Sequence, residues 1–384
     1  MLRVRFGLWL LLVAPLAAPL SAQDAPKRTV ALTGTVLVNG FWNSAGVNNT
    51  DLPLFALPDT VGVKGGGAGI RQTRLGVLIS EPDVLGGTFT GEVDADFYGG
   101  QMATTGGRTF PLLRLRRATG TVSWDHFELM IGQEAPLVAQ RNPRSLAAVG
   151  FPEFSAAGNL WLWIPQVRVS AEMGYSVRLA VQAAVLAPTA GTAQGAFFTQ
   201  LDSAERTGRP YLEGRVRVGW GPTDDPSEFA IGAHQGWLQN LDSLTGDSIQ
   251  VSQAITVDTR VVVGKVELIG EAFVGKALAG LGGGGIGQNF GIGGAPIRTR
   301  GGWAQLNVRP VHDWMVGGGC GLDDPNDADV PVTGKFKNLV CEGHVEWRPA
   351  GPLLFGFTFR RLQTTYANGT FTANHLNLAA GYHF

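Results

Sequence analysis

The chain closes on Leu376-x-Leu378-x-Ala380-x-Tyr382-x-Phe384, with an apolar residue at every second position up to a terminal aromatic. Strand side chains alternate between two faces, so this segment has one wholly apolar face. Chain ends are normally frayed and polar. A strand that closes a sheet against lipid accounts for both departures.

The other end agrees. Met1 to Ala22 reads as a secretory signal: Arg3 and Arg5, an apolar run from Leu8 to Ala18, and the small-residue site Leu20-Ser21-Ala22. No Cys lies nearby to carry a lipid anchor. Beyond it no stretch approaches the roughly 18 consecutive apolar residues of a membrane helix. An exported chain of this kind enters a membrane as strands, and residues 23–384 are expected to form one barrel.

Alternation recurs along the whole chain. Val30, Leu32, Val36, Val38 and Trp42 share one face, with Thr33, Thr35, Asn39 and Asn43 behind them. Phe89, Val93, Ala95 and Phe97 back onto Glu92, Asp94 and Asp96, and Leu212, Val216, Val218 and Trp220 back onto Glu213, Arg215 and Arg217. Apolar outside and polar inside is the transmembrane barrel pattern. Charged residues are 16% of the chain, against a usual ~25%, and the 55 glycines are about twice the usual share. Lipid on half of every strand explains the first, and turns and crowded walls explain the second. Lys+Arg 30 against Asp+Glu 31 gives no sign of a nucleic-acid partner.

Turn residues fall into two classes. Short ones are expected at 81–83, 124–126, 173–175, 222–226, 264–265, 309–313 and 348–351, and long ones at 44–67, 99–109, 136–160, 188–207, 240–253, 276–299, 323–334 and 365–372. They alternate, which gives an all-β, antiparallel barrel of 16 strands with short periplasmic turns and long outer loops. In this register Arg117 falls on the lipid face. The nine Trp residues after the signal all fall near strand ends, where amphipathic rings favour the headgroup level.

The same register points arginines inward: Arg74 on strand two, Arg114 and Arg116 on four, Arg168 on six, Arg178 on seven, Arg209, Arg215 and Arg217 on eight, and Arg360 on fifteen. Glu92, Asp94 and Asp96 on strand three and Glu128 on five interrupt them, and Glu267, Glu271, Glu342 and Glu346 lie elsewhere on the wall. Rows of guanidinium either pass anions from site to site or pair with the wall acids. A hairpin between Cys320 and Cys341 sets these two residues opposite each other, and Trp314 opposite Trp347. A disulfide is allowed in an exported protein, and two free lipid-facing thiols are the alternative.

Three groups of segments resemble the DcaP-like porins, trimeric outer-membrane channels of 16 strands. The first is Arg71-Gln-Thr-Arg74-Leu-Gly-Val with the stretch from Gly86 to Gly99. The second is Leu113-Arg114-Leu-Arg116-Arg-Ala, Ile131-Gly132-Gln133 and Pro165-Gln166-Val-Arg168. The third is the segment from Gly321 to Asp327, the stretch from Arg360 to Tyr366, and Asn374-His-Leu-Asn-Leu. About 187–300 carries little likeness, and the helical extension common before the barrel in that family is missing.

The resemblance implies a homotrimer in the bacterial outer membrane, amid lipid and lipopolysaccharide, passing small anions such as dicarboxylates without a cofactor. It implies that Tyr382 and Phe384 are read by the barrel assembly machinery. It also implies that the connection 136–160, between strands five and six, folds inward as a constriction carrying Arg141, Arg144 and Glu153; an ordinary outward loop is the alternative.

Nothing in the chain points to catalysis or metal. Gly270-x-x-x-x-Gly275-Lys276 lacks the following Ser or Thr of a phosphate loop. The six His residues show no metal-ligand spacing, and no G-x-S-x-G elbow is present. The expected function is a passive porin. An outer-membrane lipase- or protease-like barrel and a plugged adhesion barrel are its rivals.

Overall fold

The computed structural model describes residues 28–58, 64–99, 111–191, 200–240 and 248–384. The expected leader, residues 1–22, lies outside them. Seventeen strand segments form one closed antiparallel sheet. Two of them, Gly65–Gly69 and Arg74–Val84, pair in succession along the same edge of the first strand. They make one broken strand, so the wall has sixteen.

In chain order β1 is Thr29–Asn43, β2 the broken strand, β3 Gly87–Asp96 and β4 Arg114–Ser123. Then come β5 (Phe127–Glu134), β6 (Ile164–Gly174), β7 (Val177–Leu186) and β8 (Tyr211–Trp220). The next four are β9 (Ser227–Asn240), β10 (Ser248–Val263), β11 (Val266–Lys276) and β12 (Arg298–Val308). The last are β13 (Trp314–Pro325), β14 (Lys335–Trp347), β15 (Leu353–Tyr366) and β16 (Gly369–His383). The terminal strand closes on the first, from Thr35↔His383 to Asn43↔His375. Gly34 and Phe384 then exchange both backbone hydrogen bonds, at 2.9 and 3.0 Å.

Three expectations about the wall need correction. The connection at 365–372 is not long: Tyr366 pairs with Gly369, leaving the two-residue turn Ala367-Asn368. The first short turn is Leu85-Gly86 rather than 81–83, because a register shift between Glu81 and Val84 carries β2 past Pro82. Both turn residues have positive φ, the hairpin geometry that matches strand twist. Arg117 does not face lipid. Asp94 pairs with Arg117 and Ala95 with Leu115, so Arg116 is the extra residue of a bulge. The bulge resets the two-residue phase, and Arg114, Arg116 and Arg117 all point inside.

The tryptophans divide. Trp220, Trp314 and Trp347 lie exposed on the outer wall at the short-turn rim, and the last two stack at 5.5 Å. Trp42 lies near the opposite rim. Trp303 instead faces inward and is 4% exposed, and Trp161 is buried with the β5–β6 connection. The reason is that the inside of this barrel contains packed apolar groups as well as polar ones.

Three such clusters line the interior. Tyr211, Leu238 and Phe273 of the wall pack against Leu137 and Leu160 of the β5–β6 connection and Leu278 and Leu281 after β11. Trp303, Val340, Leu362 and Ala373 pack against Phe154, Ala157 and Ala56. Leu37, Leu354 and Ala379 enclose Leu146. Each fully buried Leu is worth about 1.5–3 kcal/mol, so the inner loops are fastened and not merely enclosed.

Candidate functional site

The β5–β6 connection, residues 135–163, runs around the inside of the wall. Near its start the amides of Leu137 and Val138 donate to Glu213 of β8, at 2.6 and 3.3 Å. Arg141 then pairs with Glu228 of β9 and Asp258 of β10, while its amide donates to Glu271 of β11 at 2.6 Å. Arg144 forks onto Glu267 at 2.6 and 2.8 Å. Further on, Asn39 of β1 donates to the Leu146 carbonyl at 3.0 Å and Gln72 to that of Ala147 at 2.8 Å. Glu153 is ion-paired with Arg360 of β15, both buried, and Asn338 of β14 donates to the Ala156 carbonyl at 2.8 Å. Burial pushes the Glu153 carboxyl above its ordinary range against the opposing pull of Arg360.

Two glycine contacts let the loop lie this close. Gly158 has φ +94° and sits on the backbone of Gly302. Gly321 faces Phe154 and the Ala157 carbonyl where a Cβ would collide. Glu228, Asp258 and Glu267 are shared between the loop arginines and Arg217, Arg215 and Arg260 of the wall.

The inward arginines are mostly neutralised. Arg74 pairs with Asp94, Arg114 with Asp96 at 2.6 Å, and Arg117 with Glu92 and Glu134 at 2.6 and 2.7 Å. Arg215 pairs with Asp258 at 2.7 Å, Arg217 with Glu172 and Glu228, and Arg178 reaches Glu172 only at 3.9 Å. Two differ. Arg116 stands 3.7 and 3.6 Å from Asp94 and Asp96, with Nε and Nη1 making no hydrogen bond. Arg168 bonds only neutral groups, Gln166, Gln140 and the Ala135 carbonyl.

Aromatic rings hold several of these guanidinium groups. Arg114 lies 4.2 Å from the Phe151 ring centre and 5.3 Å from Trp163, and Arg116 lies 4.5 Å from Trp163. Arg71, paired with Asp51 of the first loop, stacks on Tyr98 at 4.4 Å. Beneath the inner loop, towards the short-turn rim, is a cavity of about 740 Å³. Its lining includes Arg74, Arg116, Arg117, Arg144, Arg309 and Arg348, with Glu92, Asp94, Glu134, Asp313 and Glu346. The chamber sets fixed charges of both signs around open space.

Fifteen to sixteen per cent identity separates this chain from a solved outer membrane channel and a solved porin of the same fold. The crystal structure of the outer membrane channel DcaP of Acinetobacter baumannii superposes with a TM-score of 0.70 at 16% identity, over 96% of this chain and 100% of that one. The fold is that of the porins. An anion-selective porin from Comamonas acidovorans gives 0.60 at 15% identity, over 93% and 100% of the two chains. The trimer form of OmpT, an outer membrane protein of Vibrio cholerae, gives 0.55 at 12%, over 94% and 100%. No family model and no curated protein matches the sequence.

Within this porin fold one arrangement resembles a hydrolase. His234 lies 2.9 Å from Glu213 and 3.2 Å from Ser252 Oγ. Ser252, however, donates its hydroxyl to the Ala277 carbonyl at 2.8 Å and is 1% exposed. Its proton is committed and no substrate reaches it, so the row is a cross-link of the wall. On the outer face, Cys320 stands opposite Cys341 with the sulfurs 2.07 Å apart, and Trp314 stands opposite Trp347.

Sequence reasoning missed Glu228, Asp258 and the rings of Tyr98, Phe151 and Trp163 that surround Arg114. Strand phase alone places the two acids inside. Their partners, and the rings, come from loops whose paths carry no period.

Proposed function

We propose that the protein is a passive channel of the bacterial outer membrane, a homotrimer that passes small hydrophilic anions and needs no cofactor. The observation that carries this reading is the inner loop anchored by Arg141 and Arg144 above an arginine-rich cavity. It leaves a narrow, charged passage where charge sets selectivity. The likeness to a channel and to an anion-selective porin supports the same reading. Arg116 and Arg168 are the residues that attract anions, since neither is hydrogen-bonded to a carboxylate, whereas Arg74, Arg114, Arg117, Arg215 and Arg217 are. Strand ends are inserted by the assembly machinery that reads Tyr382 and Phe384.

Planar-bilayer recording tests the proposal. Steady conductance with a reversal potential of anion-selective sign supports it; conductance with the opposite sign removes the anion assignment. A second reading, a plugged adhesion or structural barrel, is favoured by the three apolar clusters that fasten loops inside the lumen. A correctly folded trimer that conducts no current would select that reading.

A further inference from the structure

Away from the short-turn rim, charge on the outer strand faces is confined to one side among the described residues. Among the described residues, the outward faces of β1 to β10 carry charge only at the short-turn rim, where Glu81 pairs with Arg28 at 2.6 Å and Asp83 flanks the turn. On β11 to β15 the outward face carries Lys276, Arg298, Arg300, Lys337 and Arg361 against the single acid Asp324. Lys276 stands opposite Arg298, and Arg300 opposite Asp324. Four of the five lie within three residues of the long-loop rim.

These cations are only partly compensated. Arg298 pairs with Asp329 and Arg300 with Asp324, both at 2.8 Å, yet 77% of the Arg300 side chain remains exposed. Lys276 and Arg361 have no ion-pair partner among the described residues. Beside the band is an outer groove of about 1260 Å³, whose floor includes Leu212, Ala233, Ile255 and Val274. Cations on a lipid-facing wall are costly at the bilayer centre and nearly free at headgroup level. Phosphate is the complementary group at that depth, since guanidinium and ammonium both bind it well.

We propose that this band and groove form a docking site for a phosphorylated lipid of the outer leaflet, lipopolysaccharide, with acyl chains on Ile255 and Val274 and phosphates at Lys276, Arg300 and Lys337. A second copy of the chain is a poor match, because among the described residues the outward strand faces offer no acids beyond Glu81, Asp83 and Asp324, and Asp327 and Asp329 of the adjoining loop lie within the band itself. The site rests on the orientation proposed above, long loops outward. It does not depend on ion selectivity, so bilayer currents test that reading separately.

The test uses native mass spectrometry of the full protein with bis-phosphorylated lipid A and with its dephosphorylated form. The wild type should retain the phosphorylated form, and the triple variant Lys276→Gln, Arg300→Gln, Lys337→Gln should lose affinity about tenfold or more, given the strength of each basic residue at an anionic surface. Heat-modifiability and conductance of the variant should stay unchanged. Equal retention of both lipids by the wild type would overturn the proposal without any variant. So would a folded triple variant that binds as the wild type does, or one that loses its trimer while keeping lipid A. Arg300→Lys should retain binding, which separates charge from a change of shape.

Discussion

Buried ion pairs set the local energetics of this barrel. Glu153 and Arg360 are each no more than 1% exposed, so removing one partner leaves a desolvated charge. Arg360→Met, which leaves the buried Glu153 carboxyl without its cation, should destabilise the folded barrel by about 3–5 kcal/mol, measured as a shift in the urea midpoint of heat-modifiable protein in detergent. Glu153→Gln combined with Arg360→Met should cost less than the single change, because the pair leaves together. The wall arginines behave differently from one another. Arg114→Gln strips a bonded partner from buried Asp96 and should lower refolding yield while moving selectivity little. Arg168→Gln removes a cation that is hydrogen-bonded to no carboxylate. It should shift the reversal potential towards cations in a salt gradient, and an unchanged potential would mean that Arg168 lies off the ion path.

Among the elements, the connection 135–163 is the one on which the passage depends. Deleting residues 139–156 removes Arg141 and Arg144, which share Glu228, Asp258 and Glu267 with the wall arginines Arg217, Arg215 and Arg260. Conductance should rise, and selectivity should turn towards cations, since those carboxylates then face the open lumen. Unchanged current would place the loop outside the pathway. Acid should loosen the same loop. The Glu153 carboxyl is raised, so the folded protein binds that proton at a higher pH than the unfolded chain does. Linkage therefore makes this group favour the folded barrel as pH falls through its folded value towards the ordinary carboxylate range. The bond to Arg360 weakens over the same interval. Single-channel noise should increase on acidification with no fall in unfolding temperature from this group, and Glu153→Gln should abolish the pH dependence of the noise.

For the whole molecule, closure is decided where the two chain ends meet. Phe384 exchanges two backbone hydrogen bonds with Gly34, and its ring lies over that glycine. Deleting Phe384, or changing it to Ser, should leave the protein unassembled, with loss of the heat-modifiable band in outer-membrane fractions. A normal band would show that β1 and β16 close without the terminal residue. The outer surface is itself divided, apolar over most strands and basic over β11 to β15. The membrane leaflet at the long-loop rim therefore meets two different walls.

Sequence alone determined what repeats every two residues. The all-β class, the closed antiparallel wall and the inward placement of Glu92, Asp94, Arg215 and Arg217 all follow from alternation, which each strand carries within itself. The opposed cysteines at 320 and 341 follow from hairpin symmetry for the same reason. Only the tertiary structure decided the rest. One inserted residue at Arg116 reverses the phase and brings Arg117 inside, a shift that no periodic reading of β4 resolves. Arg141 meets Asp258 across 117 residues of chain, so its partner is chosen by the loop's course through the closed barrel. Trp303 occupies a packed interior instead of a membrane rim because two loops have filled that space with apolar groups. Local pattern fixes which way a side chain points; closure and loop packing decide what it meets there.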